Sequence, residues 1–302
     1  MPEDDLVFDR SDPEPTNLVP APGDEIEPVL VELGTGLFAL THPTPAFGRS
    51  NIGLIIDDDG ITVVDTSATP YRGKVLRSRI EHLTSDLGLP IKRVVLTSSR
   101  VPFSGGSAAF WRAAFYGSSS TSDELDQPLN RAALRALLPD LAPAYHSDFE
   151  TRPVTHTVAE QVWLTPSARL VPVIGEAPQN LVVEVPGVNG LFAGATASFG
   201  VTPLAFAGDP AAWAGALDQI AETGPTIVPG HGSVGGRQDL LDQASYLRAC
   251  VAASGEVDSM AEGPWEGWTN REFDAVNIER AGRLAVGDRQ IPRAMFDLLG
   301  LT

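Results

Sequence analysis

The sequence predicts an α+β fold in which two β-sheets pack face to face and helices cover both outer surfaces, a four-layer αββα sandwich. Two observations lead to this prediction. Short apolar runs separated by Gly, Asp and Pro turns are followed by segments with helical spacing, and this order of strands then helices occurs twice along the chain. The 302 residues are also enough to bury the core that such a fold needs.

The first series contains two hairpins, one helix and one buried strand. The hairpin turns, Gly-Thr-Gly at 34–36 and Asp-Asp-Gly at 58–60, each stand between runs of β-branched and other apolar residues. Leu76, Ile80 and Leu83 recur with the spacing of one helix face. The predicted elements are strands at 29–33, 37–41, 51–57, 61–65 and 91–97, with a helix at 71–87.

The middle of the chain has a weaker pattern. A helix is predicted over 104–115, and the serine-rich run at 117–122 predicts a loop. A second helix is predicted over 129–138, because its apolar spacing is helical and Pro139 ends it.

The second series repeats the order of strands followed by helices. Trp213, Leu217 and Ile220 lie on one face of its first predicted helix, and the C-terminal tail has the spacing of two further helices. Strands are predicted at 160–164, 169–174, 180–185, 190–194 and 226–228, and helices at 209–222, 237–253, 270–283 and 290–299.

The composition divides the chain into three parts: an acidic leader at 1–27, a globular domain at 28–255, and a helical extension at 256–302 packed on the same domain. The leader has nine acidic residues and one arginine, a net charge of −8, which predicts a solvated, disordered segment. A docking tail for a basic partner is the alternative.

The net charge and the cysteine content of the chain limit the classes of function that it can have and indicate its cellular compartment. A net charge of −18 disfavours nucleic-acid binding, because a phosphate backbone is held by Lys and Arg. No stretch approaches the roughly 20 apolar residues that span a membrane. One cysteine, and no basic-then-apolar signal pattern in residues 1–25, predict a cytoplasmic protein. The expected partner is a small-molecule substrate or ligand, and a homodimer is left open.

Several segments together resemble the metallo-β-lactamase fold superfamily, over about residues 29–255. No single segment is specific, but their order and spacing extend over more than 200 residues. The segments are Asn-Ile-Gly-Leu-Ile-Ile at 51–56, Ile-Thr-Val-Val-Asp-Thr at 61–66, Val-Val-Leu-Thr at 94–97 followed by Ser-Gly-Gly at 104–106, the hairpin at 181–194, and Val-Pro-Gly-His-Gly at 228–232.

The resemblance implies a metal-binding loop of the form His-x-His-x-Asp-His at 98–103, where this chain has Ser-Ser-Arg-Val-Pro-Phe. One of the family's seven ligand positions keeps its histidine, His231. The other six are replaced, and they fall on Ser98, Arg100, Pro102, Phe103, Glu176 and Ala195.

These replacements predict a protein without a metal or another cofactor. A catalytic zinc site keeps three protein ligands, whereas Glu176 and His231 supply two. Arg100 places a permanent positive charge where the cation would lie, and like charges repel strongly in a pocket of low dielectric constant.

The same positions suggest a metal-free cleft. The resemblance implies that Ser98, Arg100, Glu176 and His231 converge, with Phe103 as an apolar wall and Asp65 beside them. One interpretation is structural, with Arg100 and Glu176 as a buried ion pair.

The functional interpretation is metal-independent acid–base catalysis: hydrolysis, elimination or cyclisation of a small, anionic molecule. Glu176 and His231 then form the acid–base pair, and Ser98 donates a hydrogen bond. Arg100 anchors the substrate, and Phe103 and Asp65 are the other expected substrate-binding residues. A Ser98–His231–Asp65 triad is less favoured, because no Gly-x-Ser-x-Gly motif surrounds the serine. The alternative function is a non-catalytic pseudoenzyme that binds a ligand or a protein partner.

Overall fold

A computed structural model describes residues 20–21, 28–224 and 226–301 of the chain. Apart from Pro20 and Ala21, the acidic leader predicted at 1–27 lies outside the described residues. Ala21 is buried in the apolar cluster that contains Phe47 and Met295. Among the described residues, no helix has the length and apolar character needed to cross a membrane.

The first sheet contains the N-terminal strands in chain order. The first four strands pair antiparallel, as two hairpins do, and the remaining three join in parallel. The strands are β1 (Val29–Gly34), β2 (Leu37–Thr41), β3 (Ile52–Asp57), β4 (Gly60–Val64), β5 (Ile91–Val95), β6 (Ala114–Ser118) and β7 (His156–Val158). All of β4 is buried, as is typical of a central strand covered on both faces.

The second sheet has the strand order β12-β11-β10-β9-β8. β11 and β12 are parallel and the other pairs are antiparallel. The strands are β8 (Val162–Trp163), β9 (Arg169–Val173), β10 (Asn180–Val185), β11 (Gly190–Ser198) and β12 (Thr226–His231).

Eight α-helices occur in the described part of the chain, most of them between or after the strands. They are α1 (Pro70–Leu83), α2 (Val101–Ser104), α3 (Ser119–Leu125), α4 (Arg131–Leu137), α5 (Pro210–Ile220), α6 (Arg237–Ala252), α7 (Asp274–Ala285) and α8 (Arg293–Leu298).

The buried side chains define four layers. Between the sheets, Leu37 of the first packs in one cluster with Phe192 of the second. On the outer face of the first sheet, Leu76 of α1 belongs to a second cluster. On the outer face of the second sheet, Trp213 of α5 and Leu247 of α6 belong to a third. The predicted four-layer αββα sandwich is therefore confirmed.

The middle segment differs from its prediction at two places. Residues 104–115 are not one helix, because Ala114–Ser118 form β6, which pairs in parallel with β5. Residues 117–122 are not a loop, because Ser118 ends β6 and also caps α3, where its side chain accepts a hydrogen bond from the Thr121 amide. Pairing with a buried strand overrides the local propensity in the first case, and serine capping was overlooked in the second.

The C-terminal helices are fixed to the domain by a buried arginine of α7. The Arg280 guanidinium donates to four backbone carbonyls, those of Ala207, Gly208, Arg289 and Gln290, at 2.9–3.2 Å. Two of these carbonyls precede α5 and two precede α8, so one side chain ties three helical segments together.

Arg280→Met should therefore lower the free energy of unfolding by about 2 kcal/mol, because several partly buried carbonyls lose their donor at once. Chemical denaturation measures the change. The matched control is Arg293→Met, whose side chain is 77% exposed and should leave stability unchanged. Equal effects of the two substitutions would contradict this role for Arg280.

Candidate functional site

The candidate site lies where strands of both sheets end. Asp65 directly follows β4, the segment 98–103 follows β5, and His231 is the last residue of β12. Glu176 lies in the loop between β9 and β10. Because β4 and β5 are parallel, their carboxyl ends meet at one edge, the usual place for ligand sites in such sheets.

Ser98 and Glu176 are in direct contact. The Ser98 hydroxyl donates to Glu176 Oε1 at 2.5 Å, and the Arg100 backbone amide donates to Ser98 Oγ at 3.1 Å. Ser98 is 1% exposed and Glu176 4%. Burial raises the pKa of Glu176 to about 7, although the Arg100 charge and the Ser98 hydrogen bond act in the opposite direction. Glu176 is thus a carboxyl group that changes charge near neutral pH.

The side chain of Arg100 is paired with Glu124, which the sequence analysis missed. Its Nη1 lies 3.6 Å from Glu124 Oε2, and its guanidinium stacks 4.3 Å from the centre of the Phe206 ring. Ser99 Oγ donates to the same Glu124 oxygen at 2.5 Å. The ion pair predicted between Arg100 and Glu176 is therefore corrected to Arg100–Glu124, because α3 brings Glu124 to this position.

His231 is held as a neutral imidazole. Its Nδ1 lies 3.2 Å from the Arg49 carbonyl oxygen. A carbonyl can only accept a hydrogen bond, so Nδ1 carries the proton and Nε2 carries the lone pair. Nε2 has no hydrogen-bond partner among the described residues. Burial lowers the pKa of His231 to about 4, and the rings of Phe47 and Phe103 flank it at 5.4 and 5.1 Å.

The predicted acid–base pair of Glu176 and His231 is not assembled. Within the described residues, Glu176 is hydrogen-bonded by Ser98, whereas His231 is bonded to the main chain of Arg49. The Phe103 ring, expected as an apolar wall of the site, contacts His231 and is not among the residues that line the cavity described below.

Asp65 binds Thr97 and is not among the residues that line the cavity described below. Its Oδ1 accepts from the Thr97 amide at 2.8 Å, and its Oδ2 accepts from Thr97 Oγ1 at 2.7 Å. Thr97 Oγ1 also accepts from the Ala195 amide of β11 at 3.0 Å, so this contact links the two sheets. The role in substrate binding expected for Asp65 is corrected accordingly. A Ser98–His231–Asp65 triad is excluded as well, since the three side chains bond to different partners.

A cavity of about 330 Å³ adjoins the Ser98–Glu176 pair. The polar residues of its wall are Ser99, Arg100, Glu124 and Glu176, together with Gln127 and Asn130. The rest is almost entirely apolar and comes from the α3–α4 region and from the C-terminal residues 291–301. Phe47 lines the cavity and also contacts the His231 ring, whereas His231 itself is not among the lining residues.

No family model matches the chain, and no curated protein matches its sequence. Solved structures do match. The metallo-β-lactamase FIM-1 from Pseudomonas aeruginosa, in its mono-zinc form, has a TM-score of 0.56 and 18% identity over 74% of this chain and 96% of its own. The metallo-β-lactamase from Hirschia baltica has a TM-score of 0.56 and 18% identity over 72% of this chain and 97% of its own.

A longer protein matches more of this chain. The stereoselective inverting sec-alkylsulfatase Pisa1 from Pseudomonas sp. has a TM-score of 0.62 and 15% identity over 86% of this chain, which spans 50% of the alkylsulfatase. The chain has the metallo-β-lactamase fold. At sequence identities of 15–18%, these comparisons show a similarity of fold, and the sequence of this chain is a divergent one for that fold.

The residues present do not fit the metal ion that the name of the fold implies. Among residues 20–21, 28–224 and 226–301, no group of three or more His, Cys, Asp or Glu side chains is arranged to hold a metal ion. Glu176 and His231 have separate partners, and the Arg100 charge lies close enough to Glu176 to lower its pKa. A cation at this place would lack a third ligand and be repelled by the guanidinium.

Proposed function

We propose that this protein catalyses metal-independent acid–base chemistry in which Glu176 accepts a proton while a small molecule occupies the adjoining cavity. The observation that carries the proposal is the buried Glu176 carboxyl, which lines the cavity, bonds to Ser98 and has a pKa of about 7. A general base is most effective when its pKa is near the operating pH.

Of hydrolysis, elimination and cyclisation, hydrolysis is favoured by analogy of fold, because the structural matches include β-lactamases and an alkylsulfatase. In the proposed step, ionised Glu176 takes a proton from a water molecule as the water oxygen attacks the acyl carbon. The proton then passes to the leaving oxygen. Ser98 is a positioning residue, because its hydroxyl fixes Oε1 of the carboxylate.

The charge of the substrate differs from the sequence-based expectation. The sequence predicts an anionic substrate because it offers Arg100 as an anchor for a negative charge. Glu124 neutralises that charge, and ionised Glu176 adds a negative one. A neutral substrate is therefore the better match to the polar part of the cavity wall.

A second candidate function is ligand binding without turnover. It is favoured by the separation of Glu176 from His231, since only one member of the expected acid–base pair lines the cavity. The two candidates differ in whether a substrate is converted.

The test is the hydrolysis of p-nitrophenyl hexanoate by protein dialysed against EDTA. We expect kcat/KM to rise as the pH increases through about 7 and then to level off, because the ionised form of Glu176 is the active one. Added Zn²⁺ should leave the rate unchanged. A rate that requires Zn²⁺ would contradict the proposal, and the absence of turnover would favour the binding function.

A further inference from the structure

The cavity beside Glu176 is divided into a small polar part and a large apolar part. Three of the polar residues contact one another, because Ser99 and Arg100 both bind Glu124. Much of the apolar part comes from two segments, the α4 region and the C-terminal residues 291–301. One contributes Leu129, Leu134 and Leu137, and the other contributes Met295 and Leu299 among its apolar side chains.

The exposed part of the cavity lining includes large apolar side chains beside the polar Gln127 and Asn130. Three of its lining residues, Ile291, Phe296 and Leu301, are 46%, 41% and 52% exposed. Large apolar side chains grouped at the rim of a pocket are typical of binding surfaces. A ligand with an apolar chain would cover these side chains as it enters, and a fully polar ligand would leave them in water.

The volume and the charges restrict the ligand further. A cavity of about 330 Å³ lies at the small end of the range of about 300–1,000 Å³ found for ligand pockets. The Arg100–Glu124 pair is neutral as a unit, so a carboxylate head group meets no unpaired positive charge there. Above neutral pH it would also be repelled by Glu176.

From these features we infer that the ligand of this site is a neutral molecule with an unbranched apolar chain, such as a medium-chain ester or amide, and that α8 forms the wall that selects the chain. This inference rests on the proposed function, since it places the polar head beside Glu176. It goes further by naming the substrate class and by giving the C-terminal extension a role in specificity.

The test measures binding of non-hydrolysed probes by calorimetry at pH 8, using the full chain. N-methyloctanamide should bind about 15-fold more tightly than N-methylhexanamide, since each buried CH₂ strengthens binding about fourfold. Sodium octanoate should bind at least about tenfold more weakly than N-methyloctanamide, because its charge meets ionised Glu176. Equal affinities along the chain series, or tighter binding of octanoate, would overturn the inference.

Two substitutions, one in the α4 region and one in the C-terminal residues 291–301, fill the cavity. Met295→Trp and Leu134→Trp should each weaken binding of N-methyloctanamide by about tenfold or more, because the indole occupies the space of the chain. Arg293→Trp is the matched control, since it adds the same ring to α8 at an exposed position. If one cavity variant fails to fold, the other gives the result. Unchanged binding in a folded cavity variant would show that the chain lies elsewhere.

Different results would contradict the proposed catalytic function and the inferred ligand class. Chain-length-dependent binding without any turnover would overturn the catalytic function and leave the ligand class standing. Turnover that depends on Glu176, with no preference for chain length, would overturn the ligand class alone.

Discussion

Glu176→Gln should lower kcat/KM for p-nitrophenyl hexanoate at pH 8 by about 10²–10⁴-fold, the range expected when a general base is removed. The amide oxygen of glutamine can still accept the hydrogen bond from Ser98, so the local structure should be kept. The amide cannot accept a proton near neutral pH, so the rise in rate through pH 7 should disappear as well.

The control is Glu222→Gln, which changes an exposed carboxyl ion-paired with Arg237 and should leave kcat/KM unchanged.

Two further variants, at His231 and at Ser98, distinguish the Ser98–Glu176 contact seen in the structure from the Glu176–His231 pair expected from the sequence. His231→Asn keeps a donor for the Arg49 carbonyl and should leave kcat/KM within about threefold of the original.

Ser98→Ala should instead move the inflection of the pH profile upward. It removes a hydrogen bond that lowers the pKa of Glu176. A loss in His231→Asn as large as that in Glu176→Gln would show that the two residues act as a pair. Full activity of Glu176→Gln would show that another group is the base.

The order of strands and helices predicts the fold, because short apolar runs bounded by turns and segments with helical spacing occur in both halves of the chain. The two hairpins that begin the first series, the helix with Trp213 and the strand ending near His231 all lie close to their predicted positions. The middle segment was not predictable in this way, because β6 depends on pairing with β5, a contact distant in sequence.

The site could be predicted only in part. Resemblance to a fold placed Ser98 and Glu176 near each other, and the structure joins them directly. It could not place Glu124, because the segment before α3 was interpreted as a loop although Ser118 is an N-cap. Nor could it place Phe47, whose segment has no periodic pattern and whose ring both contacts His231 and lines the cavity.

Asp65→Asn should remove most of the pH dependence of stability between pH 6.5 and 8. Burial raises the pKa of Asp65 to about 8, so the folded protein keeps a proton that the unfolded chain loses above about pH 4. The folded state therefore binds more protons within this window, and the free energy of unfolding falls as the pH rises through it. Glu176 acts in the same direction up to about pH 7.

The buried histidines act in the opposite direction, but only at lower pH. The pKa values of His42 and His231 are lowered to about 4, so below pH 6.5 the unfolded chain binds protons that the folded protein does not. Their effect opposes that of the carboxyls mainly between pH 4 and 6.5 and fades over about the next pH unit, because the unfolded histidines are half protonated at pH 6.5. Both histidines are present in the original protein and in Asp65→Asn, so the difference between the two slopes isolates Asp65, which should account for a loss of about 2 kcal/mol between pH 6.5 and 8.

Chemical denaturation at several pH values between 6.5 and 8 measures this slope in the original protein and its variants. Asparagine can accept from the Thr97 amide and donate to Thr97 Oγ1, so Asp65→Asn should fold and show a flatter slope. Asp65→Ala should lose about 3 kcal/mol even at pH 6.5, because buried Thr97 donors are left without a partner. Asp59→Asn, at an exposed carboxyl paired with Lys92, should keep the original slope. If Asp65→Asn leaves the dependence of the unfolding free energy on pH unchanged, Asp65 is already ionised in the folded protein. The carboxylate that binds Thr97, and through it connects the two sheets, would then be a buried charge.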